Sequence, residues 1–187
     1  MNNKSKHYCP EGLFIGILFL IPGLLGSCQH NKTIQTMIIE SVNFRNNEQI
    51  PSTFTCDGSN ISPALQWKDF PAATKSFVLI HDDPDAPMGT WVHWILFNIP
   101  VAVIRLNENF SYAGRPEKKI LAGINDFRKL EYGGPCPPSG THRYFYKIYA
   151  LDSFLELKEG STKSQVEQAM AGHILAKGEL IGLYRRK

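Results

Sequence analysis

The chain is poor in the features that mark several common functional classes. It has no Lys/Arg run with interleaved aromatic residues, and its net charge is only +3 in 187 residues. It therefore carries no electrostatic footprint for nucleic acid. No Gly-x-Ser-x-Gly elbow and no His-Glu-x-x-His helix occur, which removes the usual serine-hydrolase and metalloprotease signatures. There is no internal repeat and no low-complexity tract. The apolar stretch Leu13 to Leu25 is shorter than the roughly 20 residues of a membrane span, and Pro22 and Gly23 interrupt it. Cysteines number only four.

What is present is the composition of a globular protein, 43% hydrophobic and 20% charged, too apolar for a disordered chain. A domain of about 160 residues, left after removal of an N-terminal segment, is a usual size for one core. The ending Arg185-Arg186-Lys187 reads as a solvated tail.

Lys4, Lys6 and His7 followed by the apolar stretch read as the n-region and h-region of a secretion signal. The stretch ends in Leu25-Gly26-Ser27-Cys28, which looks like a bacterial lipobox, the cysteine being the residue that receives diacylglycerol. An ordinary signal peptide cleaved nearby is the alternative. On the lipobox reading, residues 1–27 are a lipoprotein signal peptide, 28–36 a tether and 37–187 the domain. The protein is then expected to be exported and anchored in the cell envelope through Cys28, facing the periplasm or the exterior. Gln29, not Asp, follows Cys28, which in a Gram-negative cell points to the outer membrane. With Cys9 removed and Cys28 lipidated, the domain keeps Cys56 and Cys136. In an oxidising compartment these suggest one disulfide, stabilising by about 3 to 5 kcal/mol on the chain-entropy model. Two buried thiols, or a reactive Cys136, are the alternatives.

Strand signals dominate. Ile38 to Phe44, Ala64 to Trp67, Ser76 to His81, Trp91 to Ile99 and His142 to Leu151 are rich in β-branched and aromatic residues between turn formers. Their irregular spacing favours a mainly β, antiparallel β-sandwich over βαβ units. One helix is predicted after a capping box at Ser164-Gln165-Val166-Glu167, with Val166, Met170 and Ile174 on one face and Gly178 as the stop. His173 beside that face reads as a packing residue, and Glu179 to Tyr184 as a last strand. The turn-rich stretch Pro100 to Gly140 is of functional loop length, with a short turn or strand expected around Arg115 to Ala122.

Three segments carry chemistry. Asp82-Asp83-Pro84-Asp85-Ala86-Pro87 ends an apolar strand, and its prolines stiffen the carboxylates. In Trp91-Val92-His93-Trp94-Ile95-Leu96-Phe97, period-two alternation puts Trp91, His93, Ile95 and Phe97 on one face, and Val92, Trp94 and Leu96 on the other. Both faces are apolar, so a central strand is expected, with His93 at a sheet end. The Gly/Pro-dense run Gly133 to Gly140 suggests an irregular loop whose N–H groups form an anion-binding nest. It leads into His142 and Tyr144, two apart and so on one side. Nearby carboxylates are expected to favour protonated imidazole.

These segments, with Phe54-Thr55-Cys56-Asp57-Gly58-Ser59-Asn60-Ile61-Ser62-Pro63, Asn125-Asp126-Phe127 and Gly172-His173-Ile174-Leu175, resemble the phosphatidylethanolamine-binding protein family, in its bacterial, Raf kinase inhibitor-like branch. The resemblance spans nearly all of the chain after the tether. It implies a β-sandwich with a few peripheral helices, the Gly172 to Leu175 motif lying in the last helix. It also implies a small cavity at a sheet end that takes phosphate, phosphoethanolamine-like head groups, acetate and related anions. Asp83, His93, Pro138, His142 and Tyr144 would line it, with Asp85 and the Gly134 backbone beside them. Where bacterial relatives commonly have Gly after Asn-Asp-Phe, this chain has Arg128.

The expected function is non-catalytic binding of a small anion or phospholipid head group, with no metal and no cofactor. The alternatives are a protein-interaction or protease-inhibitor module with an unknown protein partner, and a hydrolase using Asp83, Asp85, His93 and His142 with a metal or by general acid/base chemistry. Ser139 and Cys136 are the candidate nucleophiles for an enzyme. An exported chain does not meet cytosolic kinases.

Overall fold

Side chains that alternate along β-branched and aromatic runs need a partner layer for each apolar face, and two layers supply it here. The computed structural model describes residues 33–111 and 120–186. Cys28, the expected signal segment and residues 112–119 lie outside the described residues. In chain order the strands are β1 (Gln35–Thr36), β2 (Ile38–Glu40), β3 (Glu48–Gln49), β4 (Leu65–Lys68), β5 (Ser76–Asp83), β6 (Trp91–Pro100), β7 (Arg105–Leu106), β8 (Leu121–Ala122), β9 (His142–Leu151) and β10 (Ile174–Tyr184). One helix, α1 (Lys163–Met170), precedes β10, and a single 3-10 turn spans Ser52–Phe54.

Seven strands form one sheet in the order β1-β10-β9-β5-β6-β8, with β3 also pairing along β10. Strands β2, β4 and β7 form a second sheet. The long strands β10, β9, β5 and β6 are antiparallel to their neighbours, whereas the short β1 and β3 run parallel to β10. Between the sheets lies a core that includes Ile39, Leu65 and Trp67 from the small sheet and Phe77, Leu79, Trp94, Leu96, Tyr146 and Ile148 from the large one. A second core on the outer face of the large sheet joins Val78, Ile80, Val92, Ile95 and Phe97 to Val166 and Met170 of α1. Burial on both faces explains why β5 and β6 read as continuous apolar runs.

Strict alternation fails along β6. The pairing steps from His81↔Trp94 to Asp82↔Val92, leaving His93 as an extra residue, a β-bulge. Val92 therefore joins Ile95 and Phe97 in the outer core, while Trp94 and Leu96 face the inner one. His93 turns to the inner side and contacts the rings of His81 and Tyr144. A second shift follows between Phe77 and Leu79, where Asn98 on the opposite strand takes φ 56°. Period-two counting cannot see either bulge.

The helix also departs from expectation. Its capping box is Thr162 with Gln165, two residues earlier than predicted, and it ends at Met170. Gly172 at φ 81° supplies the left-handed residue that stops it. Ile174 and Gly178 belong to β10, so the Gly172 to Leu175 motif sits at a helix-to-strand junction. A Cβ at Gly178 would lie 2.3 Å from the Met37 carbonyl oxygen, so the glycine permits close approach of the β1–β2 segment. Asp82, fully buried, accepts from Lys147 Nζ at 2.7 and 3.0 Å and from Lys163 Nζ at 2.7 Å. This pins the first turn of α1 to the sheet and offsets a cation at the unfavourable helix end.

Candidate functional site

Antiparallel order β9-β5-β6 brings the C-terminal end of β5 beside the N-terminal ends of β6 and β9. Three segments distant in sequence thus place Asp83, His93, His142 and Tyr144 at one end of the large sheet. All are nearly buried: Asp83 3%, His93 3%, His142 7% and Tyr144 0% exposed. His142 Nδ1 donates to Asp83 Oδ2 at 2.7 Å, and Asp83 Oδ1 accepts the Asp85 amide at 2.8 Å. His93 Nδ1 donates to the Gly133 carbonyl at 2.7 Å. A carbonyl or carboxylate can only accept, so both imidazoles carry their Nδ1 proton. In each neutral ring, Nε2 then holds the lone pair.

The Tyr144 hydroxyl is buried and makes no well-formed hydrogen bond among the described residues, although Asp83 and the Cys136 amide lie close enough to act on it. Burial first, then the charge of Asp83, pushes its pKa far above the usual phenol value, the Cys136 amide acting the other way. It remains an O–H donor at any ordinary pH. Burial lowers the pKa of His93, and the carboxylates of Asp83 and Asp82 only partly restore it. The expectation that nearby carboxylates favour a protonated imidazole is therefore overturned for His93, where desolvation is the larger effect.

Asp85 does not face the cluster as a free carboxylate. It binds Arg143 in a fork, with Nη2 at 2.7 Å and Nε at 2.9 Å, and also accepts the Arg143 amide at 2.9 Å. These bonds from Arg143 hold its pKa down to about 2. Its role is to fix the start of β9, and with it His142. Gly134 is likewise committed: its N–H donates to Asn60 Oδ1 at 2.7 Å, and a Cβ there would lie 2.5 Å from the Phe54 carbonyl. The Gly133 N–H donates to the His93 carbonyl at 3.1 Å. Neither of these two amides is free for an anion, so Gly133 and Gly134 serve the loop's own fold. Pro138 is exposed on that loop. The loop itself is tied to the 3-10 segment by a disulfide between Cys56 and Cys136, by the Cys56 N–H to the Pro135 carbonyl, and by the Tyr132 hydroxyl to the Phe54 carbonyl. The bridge spans the site loop, so it holds Gly133 where His93 needs it.

A family model described as phosphatidylethanolamine-binding protein matches residues 40–185. The chain belongs to the phosphatidylethanolamine-binding protein family. It is 52% identical over 143 residues to a UPF0098 protein of Methanothermobacter thermautotrophicus, covering 76% of this chain and 95% of that one. A UPF0098 protein of Aquifex aeolicus is 50% identical over 154 residues, covering 80% and 89%. Among solved structures, a family homologue from Chlamydia trachomatis superposes with a TM-score of 0.75 at 39% identity, covering 82% of this chain and 99% of that one. YbcL of E. coli, described as a member of the mammalian family, gives 0.72 at 32%, covering 81% and 99%.

Within this family frame, several residues gain roles that their sequence motifs did not disclose. The bulge leaves the His93 backbone unpaired with β5, and the Asn125–Gly133 loop satisfies it. Asn125 Nδ2 and the Gly133 N–H both donate to the His93 carbonyl, and Asp126 Oδ2 accepts the Val92 amide at 2.7 Å. The Asn-Asp-Phe motif is thus the clamp of the bulge. Arg128 takes φ 62°, the left-handed region where glycine is easiest, which fits the Gly that the family resemblance leads one to expect at this position. His81 carried no signal in the sequence. It is fully buried behind the cluster, stacked on Tyr146 at 3.9 Å, with Nδ1 donating to the Phe145 carbonyl at 3.1 Å and Nε2 unpartnered. Burial holds its pKa well below the usual value, so it is a neutral ring in the site wall. His173, in contrast, lies apart from the cluster and pairs with Asp152 at 2.8 Å. Among the described residues, no group of three or more His, Cys, Asp or Glu is arranged to hold a metal ion.

Proposed function

We propose that this family member is a non-catalytic binding module for a small anion or phosphorylated head group, held between Tyr144, His142 and His93 at the sheet end. The observation that carries the reading is the buried Tyr144 hydroxyl, which makes no well-formed hydrogen bond, beside two imidazoles whose Nδ1 protons are already spent on the protein. An unsatisfied buried donor costs about 1 to 3 kcal/mol, and an anion oxygen would satisfy it. Asp83 sets the tautomer of His142 and repels a second negative charge, which favours ligands that bring a proton or an ammonium group.

The test is a titration of the protein with inorganic phosphate and phosphoethanolamine, following the imidazole resonances of His93 and His142. Both should shift in the wild type, and the response should be lost in Tyr144→Phe. Unmoved imidazole signals at millimolar ligand would sink the reading. Recovery of a phosphate ester unchanged after long incubation is the matching expectation for a protein without turnover.

We further propose that the domain is exported and held at the cell envelope by a lipid on Cys28. The Leu25-Gly26-Ser27-Cys28 pattern supports this. The mass of the mature N-terminal peptide tests it: a diacylglyceryl-modified cysteine is expected, and an unmodified N-terminus at another residue would refute it.

A further inference from the structure

We propose that the Cys56–Cys136 disulfide is a redox clip on the pocket, closed when oxidised and opened by a dithiol reductant, with anion affinity falling when it opens. This rests on the reading of the pocket given above. The loop from Gly133 to Gly140 runs past the cluster and leads into β9. Its first carbonyl, that of Gly133, accepts from His93 Nδ1 at 2.7 Å. The Cys136 amide lies close enough to the Tyr144 hydroxyl to act on it. Past Gly140 come Thr141 and then His142. One cysteine of the bridge therefore sits in a loop that touches the cluster at both ends and in its middle.

The two ends of the bridge are held unequally. Beside Cys56, Phe54 and Thr55 are buried, and Asp57 accepts from the Tyr184 hydroxyl at 2.8 Å and from Arg186 Nε at 3.1 Å. Beside Cys136, Pro135, Pro137 and Pro138 have no N–H with which to tie the loop, and Pro138 to Thr141 are exposed. The bonds from the Gly134 N–H to Asn60 Oδ1 and from the Cys56 N–H to the Pro135 carbonyl hold only the part of the loop before Cys136. Cutting the bridge thus leaves the Cys56 segment in place and frees the loop from Cys136 onward. An anion must then reorder that loop as it binds, and the ordering entropy is subtracted from its affinity.

The bridge is also within reach of a reductant. Cys136 is exposed and Cys56 half-buried, and exposed disulfides are the labile ones. A thiolate of the reductant attacks the Cys136 sulfur, the S–S bond breaks, and Cys56 leaves as the thiolate. The second thiol of the reductant then displaces Cys136 from the mixed disulfide. The protein bridge gains two electrons and two protons to give two thiols, and the reductant ends as its own disulfide.

The experiment measures sulfate affinity by isothermal titration on the full chain, oxidised and in excess dithiothreitol. Coupling between two sites is typically about 5- to 150-fold, and the reduced form should bind about tenfold more weakly. Cys56→Ser with Cys136→Ser should match the reduced form and ignore dithiothreitol. By reciprocity, saturating sulfate should make the bridge harder to reduce by the same factor. For a two-electron couple a tenfold factor is about 30 mV, read as a more negative midpoint against mixtures of reduced and oxidised dithiothreitol. Amide exchange separates opening of the loop from unfolding of the chain: protection at Gly134 should fall on reduction, while Ile80 and Ile148 keep theirs. Equal sulfate affinity in the two redox forms, a midpoint that ignores sulfate, or protection lost throughout the sheet would overturn the clip and leave the pocket reading intact. Failure of sulfate to move His93 and His142 in the oxidised protein would remove the pocket reading itself, and the inference with it.

Discussion

Sulfate binding should weaken as pH rises from 6.5 to 8.5, because the site must gain a proton to hold an anion at His93. The Nδ1 proton of His93 is spent on the Gly133 carbonyl, so Nε2 becomes a donor only in the imidazolium. Burial lowers the His93 pKa below its ordinary 6.5, so the free protein holds a neutral ring across this window. Sulfate stays dianionic throughout, which leaves the protein as the source of any pH dependence. Uptake of one proton makes affinity fall about tenfold per pH unit, or about 1.4 kcal/mol, and so about a hundredfold across two units. Isothermal titration in buffers of different ionisation enthalpy reads both the affinity and the proton count. His93→Gln, whose amide offers an N–H without titrating, should flatten the slope. Affinity that stays level between pH 6.5 and 8.5 in the wild type would refute the argument that Nδ1 is the committed nitrogen.

The same rings set the acid limb of stability. His81 and His93 both have folded-state pKa values below the unfolded 6.5, so the unfolded chain takes up protons first. Stability should be full above pH 6.5 and fall as pH drops through and below it; sulfate, by binding the protonated folded form, should slow that loss in a urea series. Asp82→Asn should cost about 2 to 4 kcal/mol, the lower end reflecting that Lys147 and Lys163 are 25% and 21% exposed and can regain water; a urea midpoint unchanged from wild type would mean that the triad contributes nothing. Gly134→Ala forces a Cβ against backbone at the Phe54 carbonyl and should cost about 1 to 3 kcal/mol, with anion binding weakened because the loop carries the His93 partner. Cys56→Ser with Cys136→Ser should lower stability by about 3 to 5 kcal/mol, read from thermal unfolding against the oxidised wild type.

Much of this molecule was determined by local sequence alone. Apolar runs bounded by prolines, glycines and aspartates marked β5, β6 and β9, because strand formation needs little beyond that pattern. Asp83, His93, His142 and Tyr144 each stood out beside stiff turns or at strand starts, but only the family resemblance joined them into one set, and two-residue spacing held for His142 and Tyr144 while failing at His93. Tertiary structure decided the rest. The bulge at His93 depends on how β6 meets β5, a relation that no residue of β6 encodes by itself, and it put Val92 on the face of Ile95 and Phe97, which alternation denied it. Asp85 and Gly134 looked available because their partners, Arg143 and Asn60, lie 58 and 74 positions away. Helix α1 stopped at Gly172 and not at Gly178 because the pairing of Ile174 with Leu151 on β9 claims the following residues for the sheet. His81 could be recognised as part of the site wall only once the sheet had buried it against Tyr146. In each case a side chain's identity limited what it could do, and a partner distant in sequence chose which of those things it does.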